Sequence, residues 1–152
     1  MSQTKFLAIL TITFLMFGCF RWHTFETTMV ERINELCKAP DSCKIQARDF
    51  TDFTWEKMYV FKYNATEDDV FSALGTRLPV YTEFTRKIVF LSDKKVIRSE
   101  ELPTNIERVE NRQVVFDIPD SKTYKGYIPD TVFQVERKPL QDGFYYKLTE
   151  VK

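Results

Sequence analysis

Three acids stand close together among aromatic residues: Asp49, Asp52 and Glu56 are interleaved with Phe50, Phe53 and Trp55. A carboxyl group in apolar surroundings loses the solvation that favours its charged form, so it keeps its proton longer and can serve as a general acid. A second carboxylate across a cleft, roughly 5–10 Å away, would complete the pair that hydrolyses a glycosidic bond. The competing reading is structural and outweighs it. Short acids on the approach to a strand bond backbone amides, or pair with neighbours such as Arg48 and Lys57. An acid-based hydrolase of envelope glycans is therefore an alternative expectation only.

Other chemistry is thin. The single histidine, His23, lies beside an N-terminal apolar segment, so the body of the chain contains none. That removes Ser-His-Asp and Cys-His nucleophile schemes and most zinc hydrolases. Four scattered glycines cannot make a phosphate-binding loop or a dinucleotide fingerprint. Acidic and basic residues balance at 22 each, against the basic excess of a nucleic-acid binder. No cofactor, metal or nucleic-acid partner is expected. Cys37 and Cys43 have no histidine or third thiol near them, and their spacing is wider than a redox Cys-x-x-Cys pair. In an oxidising compartment they read as a disulfide, and closing so short a ring contributes on the order of 2 kcal/mol.

The compartment follows from the first residues. Lys5 precedes an apolar run from Phe6 to Phe17, then Gly18-Cys19. This is the pattern of a secretory signal, and a cysteine after a small residue reads as a lipoprotein cut before Cys19 and acylated there. The expected organisation is a signal over 1–18, an acylated cysteine and short tether over 19–26, and one domain over 27–152. Phe20 is not the aspartate that holds enteric lipoproteins at the inner membrane, which favours the outer membrane. Met16 stands where a lipobox usually has leucine, and Phe20, Arg21, Trp22 and His23 make an unusual tether. The alternatives are an uncleaved inner-membrane anchor, short against the roughly 20 residues a spanning helix needs, and ordinary cleavage.

The remaining chain, about 130 residues, is one domain by size. Thr28-Met29-Val30-Glu31 reads as a capping box for a helix with Val30, Ile33, Leu36 and Cys37 on its apolar stripe and Pro40 at its end. Residues 43–49 read as an edge strand. Residues 55–63 read as a central strand apolar on both faces, through Met58-Tyr59-Val60-Phe61. Thr66 followed by Glu67, Asp68 and Asp69 caps a second helix carrying Val70, Phe71 and Leu74, stopped by Gly75. Beyond residue 86 the pattern is antiparallel, with hairpins at Ser92-Asp93-Lys94 and Asp142-Gly143, a strand over 113–118, and a long irregular loop over 119–130. The fold class is α+β: two short helices on an antiparallel sheet of about five to seven strands.

One stretch carries a resemblance. Phe53, Trp55-Glu56-Lys57, Tyr59, Phe61 and Tyr63, followed by the acids 67–69 and Leu74-Gly75, resemble a signature of small, uncharacterised bacterial membrane-anchored envelope proteins and lipoproteins. Aspartate is the commoner acid where this chain has Glu56. The likeness covers residues 49–75 and implies anchorage and a shared fold, without an activity. Asp52, Trp55, Glu56 and Tyr59 are its candidate binding surface, although aromatics on a central strand also simply fill a core. Asn64-Ala65-Thr66 is a glycosylation pattern that a bacterial chain leaves unused.

The leading expectation is a non-enzymatic envelope lipoprotein that binds a protein partner near the membrane, as an immunity or assembly accessory protein. The alternatives are the glycan hydrolase and a small apolar-ligand binder, the latter motivated by 14 phenylalanines. If Cys19 is acylated, Cys19→Ser abolishes lipid labelling and leaves an unprocessed precursor. Mass spectrometry of the wild-type N-terminus decides the point: an intact Met1, or a free N-terminus beyond Cys19, contradicts the lipoprotein reading.

Overall fold

The computed structural model describes residues 24–39, 43–102 and 104–152. The expected signal, the lipid site at Cys19, His23 and the stop at Pro40 lie outside the described residues.

The first helix, α1 (Phe25–Leu36), begins earlier than its sequence suggests. Thr24 caps it by accepting the Thr27 N–H, so the Thr28 box is not the start. Phe25 is buried and Glu26 is part of the fold, so the last residues of the stretch 19–26 belong to α1. The true stripe is Phe25, Met29, Val30 and Ile33, whereas Leu36 is exposed. Cys37 closes the helix, and a disulfide joins it to Cys43, the first residue of β1 (Cys43–Gln46).

β1 stops before residue 49 because a local bond competes with the ladder. Ala47–Phe50 forms a 3-10 turn in which the Asp49 carboxylate accepts the Gln46 N–H at 3.0 Å. β2 (Lys57–Phe61) lies inside its sheet, between β3 (Arg86–Ser92) and β6 (Tyr124–Tyr127), as its doubly apolar sequence implies. α2 (Glu67–Leu74) has Thr66 as N-cap, reciprocated by Asp69, and Gly75 at φ 71° as its left-handed stop. The backbone N–H of Thr66 holds the Asp69 carboxyl below its ordinary range.

The strands build two sheets, where the sequence suggested one. Adding β4 (Lys95–Leu102), β5 (Val114–Phe116), β7 (Val132–Leu140) and β8 (Gly143–Glu150), the orders are β1-β7-β8-β5 and β4-β3-β2-β6. The described residues thus hold eight strands, above the five to seven expected. All pairings are antiparallel except β5 on β8, which is parallel in the register Val114↔Tyr146. Parallel neighbours need a crossover. Here it runs through β6 in the other sheet, inside the stretch expected to be an irregular loop. Gly126 is what lets that strand pass: a Cβ there would sit 3.0 Å from the Tyr59 ring.

The main core lies between the sheets and is closed by α1. Phe90 receives the edges of Phe25, Phe53 and Trp55 at 5.1, 5.1 and 5.4 Å. Tyr127 of one sheet meets Phe133 of the other at 5.0 Å. A second cluster fills the outer face of the β4-β3-β2-β6 sheet, where Phe61, Val89 and Leu91 meet Val70 and Leu74 of α2 and Leu78. The same face buries a lysine. Lys87 donates to the Thr82 and Thr85 carbonyls at 2.7 and 3.1 Å, and its ammonium stands 4.3 Å from the Tyr81 ring centre. Burial pulls its pKa down, and Glu101 opposes that shift.

One ion pair ties these parts together. The Arg86 guanidinium grips Glu26 at 2.9 and 3.2 Å, donates to the Val114 carbonyl at 2.9 Å, and reaches Thr104 at 3.0 Å. The same Glu26 accepts the Val114 N–H at 2.9 Å. Glu26→Gln leaves Arg86 half-compensated in a largely desolvated place and should cost about 2–3 kcal/mol, less than the 3–5 of a deeply buried pair because both side chains keep some solvent. Urea unfolding measures it, and a loss under about 0.5 kcal/mol contradicts this role.

Candidate functional site

The four residues expected to form one binding surface do not share a face. Trp55 is buried in the main core, with its indole N–H on Thr51 at 2.9 Å. Tyr59 lies on the opposite side of β2, against the second cluster. Glu56 is spent on the β3–β4 hairpin: its carboxylate accepts the Asp93 N–H at 3.0 Å, where Asp93 and Lys94 adopt positive φ of 49° and 61°. Asp52 is exposed. Asp49 caps its 3-10 turn, and Arg48 pairs with Asp130. Both Asp49 and Glu56 therefore serve backbone amides, which takes away the geometric support for acid catalysis. Among the described residues no group of histidine, cysteine and carboxylate side chains could hold a metal.

A different place stands out. At one end of the sandwich the sheets part around a cleft of about 370 Å³. Its walls carry Val60, Ile88 and Leu102 from one sheet, Val114 and Phe116 from the other, and Ile118 beyond it. The surface so enclosed is mainly hydrocarbon. Segment 104–113, which carries the chain from β4 across to β5, borders the opening, with Ile106, Glu107 and Arg108 exposed. Lys62 and Tyr63 border it from the end of β2.

Three polar groups in the walls of this cleft are spent, while Tyr63, Glu107 and Arg108 stand exposed at its border. The Arg86 charge is met by Glu26, and Thr104, which accepts from Arg86, donates onward to the Leu102 carbonyl at 2.9 Å. Lys62 donates to the Pro119 carbonyl at 3.0 Å and lies 3.7 Å from Asp120. Such a chamber suits an uncharged, apolar guest, because a charge entering it would lose its hydration without a partner.

The bordering segment is fastened at its ends. Arg86 holds Thr104 at the first end. At the other, the Arg112 N–H donates to the Phe144 carbonyl at 2.7 Å, and Asn111 accepts the Phe144 N–H at 3.2 Å. Between these anchors the Glu107 and Glu110 amides bond only inside the segment, to Asn105 and Gln113.

None of this was visible in the sequence. The sequence marks Gln113 only as the start of a strand, and Arg86 and the polar connection 104–112 carry no motif. Among the described residues no helix is long and apolar enough to cross a membrane. Comparison with known proteins adds no relative: no family model, curated protein or solved structure matches the chain.

Gly143 is where the fastening can be tested. Its φ is 142°, and a Cβ there would fall 2.2 Å from the Asn111 Oδ1. Gly143→Ala should destabilise by about 1–3 kcal/mol and displace Asn111. Hydrogen exchange should quicken first at the amides of 104–113 and at Phe144, and unaltered exchange there contradicts the fastening.

Proposed function

We propose that this chain is a non-enzymatic binding domain of the bacterial envelope, and that it takes a small apolar ligand, or the apolar part of a larger one, between its two sheets. The observation that carries this reading is the hydrocarbon-lined cleft, an opening of ligand-binding size whose walls come from both sheets. The N-terminal pattern supports anchorage through an acylated Cys19, and the aromatic signature around Trp55 is in keeping with the envelope. An anchored domain samples apolar molecules that leave or enter the bilayer.

The protein-partner reading draws on exposed apolar side chains such as Leu36, Phe71, Phe84, Ile97 and Ile128. These come from separate elements, and single exposed apolar residues are ordinary on a protein surface. The cleft therefore takes precedence over a docking face.

Fluorescence of N-phenyl-1-naphthylamine, which brightens in apolar surroundings, tests the reading directly. The wild-type domain should bind the dye saturably at one site. Val109→Trp, in the segment bordering the opening, adds bulk there and should weaken binding about tenfold or more, worth some 1.4 kcal/mol, while thermal stability stays near that of the wild type. Absent binding, or binding that ignores Val109→Trp and a second bulky change at Ile88, contradicts it.

A further inference from the structure

Among the described residues that border the cleft, Gln113 carries the one buried polar side chain, and it has hydrogen bonds to spare. This side chain borders the cleft and is 7% exposed. Its Oε1 accepts the Glu110 N–H at 2.8 Å. A backbone N–H requires an acceptor, so this bond fixes which end of the carboxamide is oxygen and turns the NH2 the other way. The residue is also held through its backbone: its N–H donates to Glu110 O at 3.2 Å, and its carbonyl accepts the Tyr146 N–H at 2.9 Å. Among the described residues no acceptor meets the NH2, yet none of their buried side-chain nitrogens or oxygens is left without a partner. The NH2 must then face accessible space, and the space that Gln113 borders is the cleft.

From this we infer that Gln113 is a specificity-determining residue, whose carboxamide NH2 donates to a neutral oxygen acceptor on an otherwise hydrocarbon ligand. The inference rests on the binding reading above and narrows its ligand to a class: a ketone, ester or similar carbonyl compound with an apolar body. Two features select the neutral form. Arg86, the cation beside the buried wall, is already matched by Glu26, and Arg108, unpaired among the described residues, stands exposed at the border, so the buried interior around Gln113 offers an anion no free positive charge. An anionic headgroup drawn inside would also lie in the same chamber as that carboxylate's pair without compensation. A ligand lacking any acceptor leaves the NH2 dry and unpaired, which is how a buried polar group discriminates between near-identical molecules.

The test uses three probes of one chain length: undecane, 2-undecanone and undecanoate, each displacing N-phenyl-1-naphthylamine from the full folded domain. Because the probes differ in hydrophobicity, the quantity read is the ketone-to-alkane affinity ratio, compared between proteins. That ratio should fall about threefold to tenfold in Gln113→Leu, the worth of one neutral hydrogen bond. Gln113→Glu keeps an acceptor for the Glu110 N–H while replacing the NH2 by oxygen, so it guards against a merely structural effect, and it should lower the ratio at least as far. In the wild type undecanoate should compete more weakly than the ketone. An unchanged ratio in both variants, or undecanoate as the best competitor, overturns the role of Gln113 and leaves the apolar cleft standing. Failure of all three probes to displace bound dye, or of the dye to bind, overturns the binding reading itself.

Discussion

Glu26 and Arg86 set the spacing of this domain. The carboxylate sits in the first turn of α1 and the guanidinium at the start of β3, and both reach the backbone of Val114 on β5. One pair thus joins a helix and both sheets at fixed hydrogen-bonding distances. Apolar walls would otherwise close on each other to remove void, because interiors pack densely. An arginine whose three nitrogens each hold a different partner resists that closure, since its planar fork holds them only at one separation and direction. The cleft opens alongside this pair, and the pair's neutrality gives the cleft its apolar character.

The two faces of the β4-β3-β2-β6 sheet treat burial in opposite ways. On the outer face, Lys87 buries its own stem and spends its ammonium on loop carbonyls, the Thr85 hydroxyl, the Tyr81 ring and Glu101. Tyr81 secures the same loop by donating to the Ala65 carbonyl at 2.9 Å. Segment and sheet are locked there. On the inner face the chain crosses between the sheets over 104–113 without a comparable clasp at its middle. In the proposed function the guest is held on this less fastened side, and the fastened side lowers the ordering cost of holding it.

Much of the local structure was legible in the sequence. The α2 cap, its glycine stop, both hairpins and the doubly buried β2 follow from short-range chemistry: Thr66 with Asp69, the αL preference at Gly75, and the apolar run 58–61. The misses have a common cause in contacts distant along the chain. Thr24 rather than Thr28 caps α1 because Phe25 has a berth against Phe90, some way along the sequence. β6 escaped notice because its pairing depends on Gly126 passing under Tyr59, while its own stretch reads as turn residues. The parallel β5–β8 pair is likewise invisible to a pattern that only records alternation. The acids around Trp55 suggested chemistry and turned out to be caps. The cleft residues carried no signal at all, since Val60, Ile88, Leu102 and Val114 read as ordinary core until the sheets are seen to part beside them.

The central claim is that an apolar molecule enters between the sheets. Methyl-resolved NMR during titration with an uncharged apolar probe reports on it most directly. The account predicts that the methyl signals of Val60, Ile88, Leu102 and Val114 shift together along one saturable curve, with those of Leu36, Ile97 and Ile128 unmoved. Shifts confined to the exposed methyls, or none that saturate, would contradict it.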